Sequence, residues 1–80
     1  MLRISRHSRH TPAQALERAV DYFGEKGEGL ALSGRNPCCA SFEGAGGYVT
    51  VTAAAAPKGC EVGVVTGEFE HQARRFLETL

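Results

Sequence analysis

Phe42-Glu43-Gly44-Ala45-Gly46-Gly47-Tyr48-Val49-Thr50-Val51-Thr52-Ala53 is the stretch on which the fold turns. A glycine-rich turn separates two runs in which apolar and polar residues alternate, the period of a half-buried β-strand. A second turn signal, Ala56-Pro57-Lys58-Gly59, follows after the eight residues 48–55 and leads into another Val-rich run. With each four-residue segment read as a hairpin loop, Phe42 faces Val49, Ala40 faces Val51 and Cys38 faces Ala53. On the next hairpin Ala55 faces Cys60, Ala53 faces Val62 and Val51 faces Val64. One face of the sheet is then wholly apolar. The other carries Cys39, Ser41, Glu43, Tyr48, Thr50, Thr52, Ala54, Glu61, Gly63 and Val65. Side chains alternate along a strand, so a one-residue slip would exchange the two sets, and the register is well specified.

Outward from this meander, Leu30 and Leu32 predict a short strand ahead of a Ser33-Gly34-Arg35-Asn36-Pro37 loop, and Leu2 and Ile4 predict one at the N-terminus. Thr11-Pro12-Ala13-Gln14 reads as a helix start. Thr is a favoured N-cap, Pro suits the first helical position, and Gln14 completes a capping box. Leu16, Ala19, Val20 and Phe23 then form one stripe, closed by Gly24. Phe69, Ala73, Phe76, Leu77 and Leu80 form a second stripe, with Thr66 as the expected N-cap. The prediction is one α+β domain over residues 1–80. It has an antiparallel sheet of four or five strands and two helices on one face, in the order β-α-β-β-β-β-α.

Eighty residues support only a thin core, because a chain of this size buries only about 60–65% of the surface it exposes when unfolded. Such scaffolds gain support from a disulfide, a metal or a partner. A composition 42% hydrophobic and 22% charged is that of an ordinary globular domain. Nine basic and nine acidic residues cancel, although Arg3, Arg6 and Arg9 stand with His7 and His10 in a first decade free of acid. Overall neutrality argues against bulk nucleic-acid affinity, which needs a basic surface. No apolar run approaches the roughly 20 residues that span a bilayer. Without an apolar stretch after the basic residues there is no secretory signal to read, and three cysteines suggest reduced thiols in a cytoplasm.

In the expected register Cys38 and Cys60 lie on the apolar face with a strand between them, roughly 9–10 Å apart. That exceeds the Cα separation of about 7 Å within which a disulfide closes, so both are expected as small buried hydrophobes. Cys39 points to the other face and is the one candidate for a reactive thiol, but no His, Lys or Arg adjoins it. The His7-Ser8-Arg9-His10 spacing lacks the further ligands a zinc site needs and reads as a polar connection between the first strand and first helix. Gly44 to Gly47 enters a strand without a following Lys-Ser/Thr, which excludes a phosphate loop. Glu43 and Glu61 fall at opposite ends of their strands, too far apart for paired acid-base work, and His71 falls on the surface of the last helix. No catalytic, metal or cofactor residue is assigned.

The opening Leu2-to-Val20 stretch, LRISRHSRHTPAQALERAV, resembles the small bacterial polyhydroxyalkanoic acid system proteins. The element order resembles a reduced helix-grip (START-like) domain, in which a curved sheet wraps a long terminal helix. The first resemblance implies a non-enzymatic bacterial accessory protein and brings no site residue with it. The expected function is therefore an accessory or protein-interaction domain, not an enzyme. Its partner would be a second copy or an unknown protein, met through Tyr48, Thr50 and Thr52, with neither nucleic acid nor membrane expected. The alternative is an apolar-ligand binder with Phe42, Val51, Val64, Phe69 and Phe76 lining a site between sheet and last helix.

Overall fold

The computed structural model describes residues 1–44 and 46–80; Ala45, in the middle of the first expected hairpin loop, lies outside them. The chain runs β1 (Leu2–Ser8), α1 (Pro12–Phe23), β2 (Ala31–Asn36), β3 (Cys39–Gly44), β4 (Gly47–Ala56), β5 (Gly59–Gly67) and α2 (Glu70–Glu78). The strands form one antiparallel sheet in the order β1-β5-β4-β3-β2. Consecutive strands from β2 to β5 are neighbours, and β1 crosses back to pair with β5. The element order and fold class are those the alternation predicts.

Register follows the sequence pattern closely. Phe42 pairs with Val49, Ala40 with Val51, Val51 with Val64, Ala53 with Val62 and Ala55 with Cys60. Val49, Val51, Val62 and Val64 have no solvent exposure at all and share one core with both helices. α1 lies over β3, β4 and β5, and α2 over β5 and β1. Where the helices meet, the Phe23 ring stands 5.2 Å from Phe76 and 5.7 Å from Phe42, within the range of favourable aromatic pairs.

The first helix begins as its sequence dictates. Thr11 Oγ1 accepts from the Gln14 amide at 3.2 Å, and Gln14 Oε1 accepts from the Thr11 amide at 3.1 Å. This reciprocal pair, with Pro12 at the first position, satisfies N–H groups the helix leaves free. At the other end the Gly24 amide bonds Val20 O and the Leu30 amide bonds Phe23 O, folding residues 24–30 back toward the sheet.

Four boundaries differ from expectation. β1 continues through His7 to Ser8, because β5 offers partners as far as Cys60; the polar stretch that reads as a connection is half strand. β2 runs through Ser33 to Asn36 instead of ending in a loop, with a bulge between Leu32 and Gly34 that fits an edge strand exposed along its whole length. Cys38 belongs to the turn between β2 and β3 and is exposed, not buried on the apolar face. Asn36 Oδ1 accepts from the amides of Cys38 and Cys39 at 2.8 and 2.9 Å, which fixes the turn one residue later than the alternation suggests.

Thr66, finally, does not cap α2 as its N-cap residue; it is the last buried residue of β5, and the N-cap is Phe69. Its hydroxyl donates to Tyr48 O at 2.7 Å and accepts from the Phe69 amide at 3.3 Å. It therefore ties the strand to the helix entry from three residues further back.

Gly59 opens β5 with φ +144, and a Cβ there would fall 1.9 Å from the Ser8 carbonyl oxygen. The end of β1 thus closes on the β4–β5 hairpin only because residue 59 has no side chain. Gly59→Ala is expected to destabilise the domain by at least about 1–3 kcal/mol in urea denaturation. Gly34→Ala, with open space around its Cα, is expected to stay within about 0.5 kcal/mol of the parent. Equal effects of the two would show that β1 does not close on the hairpin in this way.

Candidate functional site

Both helices occupy one face, so the other face of the sheet is bare of any described element. Its centre is two rows of paired residues. One is Arg3, Val65, Thr50, Ser41 and Gly34; the next is Ser5, Gly63, Thr52, Cys39 and Asn36. Tyr48 and Glu43 lie beyond one end, His7, Glu61 and Ala54 beyond the other. Charge is confined to the margins, and the middle is small, uncharged side chains.

The three residues expected to form an interface are brought together here, in consecutive outward positions of β4. Tyr48 is 38% exposed. Its ring lies over Gly67, where a Cβ would come within 2.9 Å of Tyr48 Cε1. The tyrosine is thereby laid flat along the sheet instead of standing up from it. Thr52 Oγ1 donates to Gly63 O at 3.4 Å, a long bond that leaves the hydroxyl open to other partners. Beside it, Arg3, Ser5, Thr52, Gly63 and Val65 border a shallow groove of about 370 Å³.

The five residues expected to line a site between the sheet and the last helix are divided between the two helices, and they serve as packing. Phe42 on β3 and Val51 on β4 lie under α1, Val64 is on β5, which both helices contact, and Phe69 and Phe76 belong to the N-cap and body of α2. Phe42, Val51, Val64 and Phe76 are inaccessible to solvent, and Phe69 is half-buried against the same cluster. All four belong to the same buried core cluster, where their side chains pack against one another and the helices.

The cysteines divide three ways: Cys38 exposed in the turn, Cys39 half-buried on the bare face, Cys60 buried under the helices. Burial raises the Cys60 thiol pKa above its ordinary value of 9.0, and the Glu61 carboxylate next to it adds to the effect. His7 Nε2 stands 3.1 Å from Pro57 O and donates to it when that nitrogen carries the proton, pinning β1 to the β4–β5 turn. Glu43 pairs with Tyr48 and Glu61 with Ala54, so the two carboxylates are well separated. Among the described residues no three His, Cys, Asp or Glu side chains are grouped as a metal site requires. No helix among the described residues is long and apolar enough to cross a membrane.

Two surface features escape a reading by alternation. One is a groove of about 320 Å³ between the end of α1 and β2, floored by Val20, Leu30 and the 47% exposed Leu32 and bordered by Asp21, Glu25 and Lys26. The other is the free long edge of β1. The first needs the α1–β2 packing to exist, and the second needs the strand order. Neither is encoded in a local motif. In comparisons with known proteins, no protein family, no curated protein and no solved structure matches the chain.

The thiol environments give a measurable order. A water-soluble disulfide reagent is expected to label Cys38 first and Cys39 more slowly, leaving Cys60 untouched until the protein unfolds. Because the folded state holds the Cys60 proton more tightly than the unfolded chain, the stabilisation is complete below pH 9.0 and declines as pH rises beyond it. Denaturation midpoints should fall above that pH in the parent, and less steeply in Cys60→Ala. Labelling of Cys60 in the native protein at the rate of Cys38 would contradict the placement.

Proposed function

We propose that the chain is a small non-enzymatic accessory domain that works by binding protein, and that its helix-free sheet face associates with the same face of a second copy. The supporting observation is the bare face itself: five strands whose central positions are small, uncharged and free of any covering helix. A thin-cored domain gains most from covering such a surface.

Size sets the strength. Five strands at about 4.8 Å spacing and rows of about seven residues give a face of roughly 20 by 24 Å. Two such faces would bury on the order of 1,000 Å², the lower limit for a specific interface. The association is therefore weak and concentration-dependent. A two-fold axis along β4 sets Thr50 and Thr52 against their own counterparts, with no charge on either side. Small side chains let the sheets approach to the usual spacing of about 10 Å. The uncovered face itself supports a binding role. The resemblance of residues 2–20 to bacterial accessory proteins points the same way, as does the sparse, unbridged cysteine set, which suits a cytoplasm.

Sedimentation equilibrium is the direct test. The parent is expected to approach twice the 8.5 kDa of one chain at concentrations up to about 1 mM. The Thr50→Glu/Thr52→Glu variant, which sets like charges against themselves, is expected to remain at 8.5 kDa with an unchanged circular dichroism spectrum. A parent that stays monomeric throughout would overturn self-association.

A further inference from the structure

The two edges of the sheet are guarded differently. β2 is broken by its bulge and carries Gly34, both of which discourage a further strand. β1 pairs residue for residue with β5 from Leu2 to Ser8, with no bulge and no proline, and no described strand lies on its other side. Seven regular residues of open edge form a template that another strand can extend.

Which backbone groups are free follows from the ladder. Ala56 and Gly59 flank the two-residue turn Pro57-Lys58, and such a hairpin closes on a hydrogen-bonded pair. In an antiparallel sheet successive residues direct their N–H and C=O to alternate sides. Residues 59, 61, 63, 65 and 67 therefore face β4, and 60, 62, 64 and 66 face β1. Their partners Ser8, Arg6, Ile4 and Leu2 spend their backbone groups on β5. Arg3, Ser5 and His7 turn three N–H and three C=O groups outward.

Side-chain chemistry selects the occupant. Arg3 stands on the helix-free face and the exposed Arg6 on the helix face. Between them, half-buried Ile4 packs against the core. No acid occurs before Glu17. Two copies of β1 laid antiparallel edge to edge would crowd their arginines together, so self-pairing here is disfavoured. Nucleic acid satisfies the arginines, but its backbone has no N–H donors for the outward carbonyls. Only a polypeptide in strand conformation matches both.

We infer that β1 is a strand-addition site for an acidic extended peptide of a partner protein, read antiparallel by Arg6, Ser5, Ile4 and Arg3 as acidic, any, apolar, acidic. Main-chain bonds at Arg3, Ser5 and His7 hold the strand, and the two arginines choose it by charge.

The probe is the peptide acetyl-TETVEVT-amide, whose first, third and fifth residues face His7, Ser5 and Arg3. In a heteronuclear NMR titration the largest shifts and new exchange protection are expected at the amides of Arg3, Ser5 and His7. N-methylation of the peptide at its third and fifth residues, whose amides face the edge, should abolish binding. N-methylation at the second and fourth, whose amides face solvent, should leave it nearly intact. Replacing both glutamates of the peptide by lysine should weaken binding at least about tenfold, and Arg3→Glu/Arg6→Glu should reverse that preference. Equal binding of the two N-methylated peptides, shifts centred away from β1, or equal affinity for oligo-dT of similar length would each overturn the inference. The N-methyl comparison uses the natural chain, so it decides the matter even where the charge-reversed variant does not fold.

Discussion

Parity along three strands governs this molecule. Because successive side chains in β3, β4 and β5 point to opposite faces, one choice of register sends Phe42, Val49, Val51, Val62 and Val64 together toward the helices. Both amphipathic helices then have one surface to cover, and they meet over it through Phe23 and Phe76. The opposite face is left with what remains: threonines, glycines and a tyrosine laid flat. Surface and core are two readings of the same alternation, and neither can be altered without the other.

The elements best read from residues alone are those whose signals are local. Thr11, Pro12 and Gln14 contain the whole instruction for starting α1, and the two four-residue turns contain the instruction for the β3–β4–β5 meander. Where the instruction is spread across the chain, the reading stops short. Nothing in His7-Ser8 says strand until β5 supplies a partner some fifty residues away. Leu30 and Leu32 announce β2, but beyond Leu32 the strand is exposed on both faces, so its extension to Asn36 lacks the apolar rhythm by which strands are recognised.

Cys38 shows a subtler limit. The alternation of β3 extrapolates naturally to residue 38, but the Asn36 side chain captures the amides of Cys38 and Cys39 and starts the turn there. A single side-chain oxygen outweighs the preference of a thiol for the interior. Thr66 follows a related logic: the hydroxyl that marks it as a helix cap does bond a helix-entry amide, but from the end of a strand. As for the candidate surface, Tyr48, Thr50 and Thr52 were legible by parity, whereas the open edge of β1 depends on strand order, which no local pattern carries.

That strand order has a consequence for assembly. From β2 to β5 each strand pairs with the next one in the chain, whereas β1 must wait for a partner more than fifty residues further on. Loop-closure entropy rises by about 0.6 kcal/mol with each doubling of length, so the distant pairing carries a cost of a few such steps more than the hairpins. During synthesis β1 is made before every other strand of this sheet and is consequently among the last of them to find its place. Until the final hairpin exists, its basic segment has no strand to pair with.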